Sequence, residues 1–102
     1  MFEQNNNPIL HNLIGIIYLS LKDYEKSMES FTNVITLKDN LYPAYLNRGT
    51  AYCEIQDFQK GITDYKKTIE LNPNLSDAYN NLGLALQSIG KKMNQLNILS
   101  KL

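Results

Sequence analysis

Apolar residues recur along the chain at steps of three and four: Ile14, Ile17, Tyr18 and Leu21, then Tyr24, Met28, Phe31 and Ile35. That spacing puts each set on one face of an α-helix and predicts an amphipathic helix on either side of Lys22-Asp23. Carried along the chain, the same reading predicts helices over 9–20, 24–37, 43–54, 58–71, 77–88 and 92–101. No stretch alternates long enough to make a strand. Tight turns are expected at Lys22-Asp23, Gln56-Asp57 and Gly90-Lys91, where Asp23 and Asp57 can cap the helix that follows. Pro43 suits the first turn of its helix, which has no use for the missing N–H, and Pro73 closes the helix before it. Residues 1–7, with Asn5-Asn6-Asn7, are polar and expected to form a flexible segment ahead of a single domain over 8–102.

The helices come in pairs that repeat. Ala-Tyr-Leu-Asn-Arg-Gly-Thr-Ala at 44–51 returns as Ala-Tyr-Asn-Asn-Leu-Gly-Leu-Ala at 78–85, a shift of 34 residues. At that shift Gly15, Gly49 and Gly83 coincide, as do Tyr18 with Tyr52, Asp23 with Asp57, Ile35 with Ile69 and Leu41 with Leu75. Three units follow, about 8–41, 42–75 and 76–102, the last one truncated. A helix pair of this size cannot bury its apolar stripe alone and must stack on its neighbour, so the period predicts an all-α solenoid. A glycine inside a helix costs up to about 1 kcal/mol relative to alanine. Three on one register therefore predict close helix crossings, with Ser27 and Gly61 making room from the opposite helix. Tyr45, Tyr52, Phe58, Tyr65, Tyr79 and Phe31 are expected to fill the wider gaps as core.

These residues resemble the tetratricopeptide repeat, a 34-residue helix-turn-helix unit. The middle unit carries the pattern most fully, in Tyr45, Gly49, Tyr52, Gly61, Tyr65 and Pro73. The first carries His11, Ile14, Gly15, Tyr18, Ser27 and Phe31; the third carries Tyr79, Leu82 and Gly83, with Leu86 in the tyrosine place. The resemblance implies a right-handed α-α superhelix whose first helices line a concave surface that binds extended peptides. Counted by offset from each glycine, that surface would hold Asn12, Ile16 and Leu19, then Leu46, Asn47, Thr50 and Cys53, then Asn80, Asn81, Leu84 and Gln87. An asparagine offers a donor and an acceptor together, matching a peptide backbone. The face is mixed apolar and amide, suited to an uncharged segment. The chain has thirteen asparagines, so composition alone also places some there.

Relatives that receive chaperone tails hold a terminal carboxylate with lysine, arginine and asparagine, which is chemistry that needs cations. Here the cation places hold Asn12, Asp77 and Asn81, Ile16 replaces one asparagine, and only Asn47 agrees. The resemblance therefore implies that this clamp is missing. Asn47 and Asn81 look instead like the asparagine ladder in the substrate arm of certain sugar transferases.

Charge narrows the partners. Ten basic and ten acidic residues cancel, which leaves no electrostatic footprint for nucleic acid or an anionic membrane. The apolar runs are too short and interrupted to span a bilayer. The single cysteine, Cys53, supports neither an internal disulfide nor a cysteine metal site and points weakly to the cytoplasm. Cys53 has no histidine near it in the repeat register, and His11, the only histidine, fills an aromatic packing place. Gly90-Lys91-Lys92 has the wrong spacing for a phosphate loop, and Asn74-Leu75-Ser76 reads as a turn. Asp23, Glu25, Asp57 and Asp64 are expected on turns and outer faces, solvated or capping. No catalytic, metal or cofactor site is expected, and the reading is a scaffold or adaptor for a protein or peptide partner. Two alternatives stay open: a recognition arm of a larger enzyme, and a subunit that docks or self-associates through its C-terminal helix, around Met93, Leu96, Leu99 and Leu102.

Overall fold

A computed structural model describes residues 6–96 as five α-helices with no strand among them. They are α1 (Pro8–Ser20), α2 (Tyr24–Leu37), α3 (Tyr42–Glu54), α4 (Phe58–Leu71) and α5 (Ser76–Gln95). Asn7, which the sequence reading put in the leader, is the N-cap of α1, its side chain accepting from the Ile9 N–H at 2.9 Å. Asp23 and Asp57 cap α2 and α4 in the same way, accepting from the N–H groups of Lys26 and Lys60. Before each cap the chain reverses through a left-handed residue, Lys22 at φ 64° and Gln56 at φ 67°. The Asp23 N–H then donates to the Tyr18 carbonyl and the Asp57 N–H to the Tyr52 carbonyl, which closes both turns.

The third unit departs from this plan. Gly90 and Lys91 stand where Gln56 and Asp57 turn the second unit, yet α5 runs straight through them to Gln95. Gly90 could adopt the left-handed conformation cheaply, but Lys91 has no acceptor to cap a new helix, so the backbone satisfies itself by continuing. The expected turn is absent, and 77–88 and 92–95 belong to one helix; residues 97–101 of the expected sixth helix lie outside the described residues.

Packing is set at the glycines. A Cβ on Gly15 would meet the Phe31 ring at 2.5 Å, and one on Gly49 would meet Tyr65 at 2.8 Å and the Asp64 Cβ at 3.1 Å. Gly61 faces back from α4 against Cys53 Sγ and the Gly49 carbonyl, while Ser27 is fully buried in the matching place of α2. Phe31 and Tyr65 are each buried in their crossing, sixteen residues beyond the glycine they cover. The comb breaks at Gly83, where a Cβ would meet nothing within 4 Å, because no helix is folded back onto that face of α5 among the described residues. For the same reason Tyr79 is not core: it is 50 % exposed, though its hydroxyl still donates to the Pro73 carbonyl just as Tyr45 donates to that of Asp39.

A polar joint lies in the middle unit. Asp64, expected on an outer face, is 4 % exposed and forms a two-pronged ion pair with Arg48, Nε to Oδ2 at 2.8 Å and Nη2 to Oδ1 at 2.9 Å. Arg48 also donates to Thr32 Oγ1 on α2 and lies over the rings of Tyr45 and Tyr52. One guanidinium thus ties α2, α3 and α4 together. Removing either partner strands a buried charge, a loss of about 3–5 kcal/mol in comparable pairs.

Two glycine substitutions should act with opposite sign in urea unfolding. Gly49→Ala should lower stability by about 2 kcal/mol through overpacking, although alanine is the better helix former. Gly83→Ala should raise it by roughly 0.5–1 kcal/mol.

Candidate functional site

The array bends because its two kinds of helix approach each other unequally. Among the described residues α1 touches α3 and α3 touches α5, whereas α2 and α4 do not meet. The first helix of each pair therefore lies on the inside of the curve. Two cavities open along that inner face. One, about 390 Å³, lies between α3, α4 and α5 and is lined by Thr50, Cys53, Glu54, Tyr65, Asn81, Leu84 and Ser88, among others. The second, about 350 Å³, lies between α1 and α3 and is lined by Leu19, Ser20, Lys22, Tyr24, Thr50 and Glu54. Thr50 and Glu54 line both, so the two lie side by side across α1, α3 and α5 and together make up the trough of the inner face.

The floor of the trough is held by the packing below it. Thr50 Oγ1 reaches the Tyr65 hydroxyl at 3.0 Å and donates to the Leu46 carbonyl. Burial raises the Tyr65 phenol well above its ordinary pKa, so it stays protonated. Burial likewise raises the Cys53 thiol, which packs on Gly61 and behaves as a small apolar group and not as a nucleophile. Across the trough the Tyr24 hydroxyl donates to Glu54 Oε1 at 3.3 Å. Desolvation and the Glu54 charge raise the Tyr24 pKa, which keeps that donor in place.

Of the residues expected on the binding face, Thr50, Cys53, Asn81 and Leu84 come together in the larger cavity, and Leu19 joins Thr50 in the smaller one. Asn47 is half-buried beside them in sequence but lines neither cavity; Ile16, Asn80 and Gln87 are exposed and line neither. Leu46 turns inward and packs on the cluster of Ile62, Tyr65 and Ala85. Asn12 lies elsewhere, in an apolar pocket of about 200 Å³ between the N-terminal ends of α1 and α3, with Pro8, Ile9, Leu13, Val34, Leu41, Pro43 and Ala44. Its Oδ1 is buried there without a hydrogen-bond partner. The repeat explains the difference: Leu46 occupies the same position one unit later and is packed, whereas Asn12 leaves its joint unfilled. Sequence reasoning missed Glu54, Lys22, Tyr24 and Ser88. The first three are polar or charged residues near turns; their distance of one helical turn from Thr50 or their place beside Lys22-Asp23 was the available signal.

Among the described residues no helix is long and apolar enough to cross a membrane, and no cluster of three or more His, Cys, Asp or Glu could hold a metal ion.

Stacked helix pairs curving around an inner trough define a helical-repeat solenoid. Residues 9–41 match a family model described as Tetratricopeptide repeat, and residues 49–90 match one described as TPR repeat. The chain belongs to the tetratricopeptide repeat family. Among solved structures it is similar to the first TPR of Spaghetti (RPAP3) bound to the HSP90 peptide SRMEEVD, with 27 % identity over 83 % of this chain and 68 % of that one and a TM-score of 0.81. The first TPR domain of human RPAP3 is 28 % identical over 86 % of this chain and 69 % of that one, with a TM-score of 0.83. MamA is 29 % identical over 83 % of this chain and 50 % of that one, with a TM-score of 0.81. Comparison with curated proteins found no match.

Filling the Asn12 pocket should stabilise the protein. Asn12→Leu removes an unpaired acceptor and adds buried apolar surface, and should raise unfolding stability by about 1 kcal/mol. Leu46→Asn in the next joint should lower it by about 2 kcal/mol in the same denaturation assay.

Proposed function

We propose that the chain is a non-catalytic interaction scaffold that holds an extended segment of a partner polypeptide in the trough across α1, α3 and α5. The observation that carries this reading is the pair of cavities set side by side on the inner face, sharing Thr50 and Glu54 in the C-terminal half of α3. The similar domain of Spaghetti (RPAP3) holds an HSP90 peptide, which supports a peptide as the occupant.

The chemistry of the trough favours a different peptide from that one. Its lining charges are Lys22 and Glu54, and Glu54 lies at the shared centre. A terminal carboxylate placed there would face a like charge with one lysine to offset it, and the places that a carboxylate clamp would use hold Asn12, Asp77 and Asn81. The preferred occupant is an uncharged or basic segment, with Asn81 and Ser88 offering hydrogen bonds to its backbone and Leu84 and Leu19 covering its apolar side chains. Such a module works by holding, and it fits a cytoplasmic setting with a single reduced cysteine.

Peptide display on the intact chain, followed by calorimetry, tests this. Selected peptides should carry no acidic C-terminal requirement. Asn81→Ala combined with Ser88→Ala should weaken their binding about tenfold while leaving the helical signal and melting temperature in place. A peptide ending in SRMEEVD should bind no tighter than about 1 mM. Micromolar binding of that peptide, or unchanged affinity of the double variant, would overturn the reading.

A further inference from the structure

The pocket that holds Asn12 is an apolar socket with one polar side chain in it. Val34 and Ala44, 1 % and 0 % exposed, are its most buried walls, and Ile9 and Leu13, 68 % and 51 % exposed, form its rim. Pro8 and Pro43 add ring faces from the first turns of α1 and α3 and, as prolines, bring no N–H. Every lining side chain other than Asn12 is a hydrocarbon, and Asn12 Oδ1 is buried without a hydrogen-bond partner. The next unit has no such acceptor, since Leu46 stands in the place of Asn12 and packs on Ile62, Tyr65 and Ala85. None of the pocket's residues lines either cavity of the trough.

Water is a poor occupant of such a place, because a held water needs about two to four polar partners and the lining side chains offer one. A buried acceptor left unpaired is costly. The pocket is therefore complementary to an apolar body that carries a single donor and nothing else polar. An apolar cavity of about 150 Å³ takes a benzene ring. This one, about 200 Å³, suits the next larger flat ring system, a bicyclic one. Among side chains that describes tryptophan, whose indole N–H only donates, so that one bond to Asn12 leaves no polar group of the ring unpaired. A tyrosine hydroxyl would bring acceptor lone pairs that the socket cannot satisfy, and a phenylalanine would leave Oδ1 as it stands.

We propose that this pocket is a second recognition site, a socket for a tryptophan side chain of a partner polypeptide, its indole N–H donating to Asn12 Oδ1 and its ring lying against Pro8, Val34 and Pro43. The exposed apolar rim favours a side chain over a free small molecule, because Ile9 and Leu13 extend the contact to the residues that flank the tryptophan. The socket shares no lining residue with the trough and does not depend on what the trough holds. A partner that engaged both would gain from the linkage of the two contacts.

Titration of the intact chain, followed by nuclear magnetic resonance, tests this with indole and with N-acetyltryptophanamide, which carries the same ring on a piece of backbone. Both should bind with a Kd of about 0.1–1 mM, moving the amide signals of Val34 and Ala44 and leaving those of Thr50 and Asn81 in place. Indene, the same shape without the N–H, should bind at least about fivefold more weakly, although it is the more hydrophobic molecule. Asn12→Ala takes away the acceptor and leaves room, so it should reverse that order. Asn12→Leu should bind neither, and because it is expected to be more stable than the wild type its loss of binding cannot come from unfolding. No binding of indole, indene held as tightly as indole by the wild-type chain, or signal changes centred on the trough would each overturn the proposal. So would an Asn12→Ala variant that still prefers indole. Binding of indole without N-acetyltryptophanamide would overturn it too, showing a site for a free small molecule instead.

Discussion

A ring lying in a side-chain-free notch is the contact on which this structure depends. Gly15 takes Phe31 and Gly49 takes Tyr65, at one sequence spacing, and both rings are buried. The absence of a Cβ lets each second helix lie close to its first, and the ring fills what remains. Glycine's conformational cost in a helix is offset by that burial. From the close crossing follows the hairpin, and from a row of equal hairpins follows the curve that brings α1, α3 and α5 together on one side. Tyr65 carries the contact through to the inner face, where its hydroxyl meets Thr50 on the floor of the trough.

How much of this could be read in the sequence depends on whether a feature repeats. Helices α1 to α4, the caps at Asp23 and Asp57 and the crossings at Gly15 and Gly49 were legible, because one packing problem recurs every 34 residues and leaves a comb of like residues. The course of α5 was not. It turns on one local chemical fact, that Lys91 cannot cap where Asp57 can, and the glycine comb runs past that exception to Gly83 as though a partner helix were there. The Arg48–Asp64 pair leaves no comb at all, since the matching positions of the first unit are Ile14 and Ser30; each charge looks solvated until both are placed on facing helices.

The inner face shows the same limit. Offsets from a glycine give the direction in which a side chain leaves its helix, and they brought Thr50, Cys53, Asn81 and Leu84 into one cavity. They do not give depth, which depends on the neighbouring helix: Leu46 sinks into the core and Asn12 into a separate pocket. Glu54 and Lys22 decide the charge of the trough, yet as turn-proximal charges they carry no repeat signal.

The central claim is the interlock of ring and notch, and a double-mutant cycle on Gly15 and Phe31 tests it most directly. A Cβ at residue 15 falls 2.5 Å from the Phe31 ring, which is fully buried and has no room to move aside. The account predicts that Gly15→Ala costs at least about 2 kcal/mol in the wild-type chain and less than half of that in a Phe31→Leu background, a coupling above about 1 kcal/mol. If the two effects add to within about 0.5 kcal/mol, the ring does not occupy the notch and the account is contradicted.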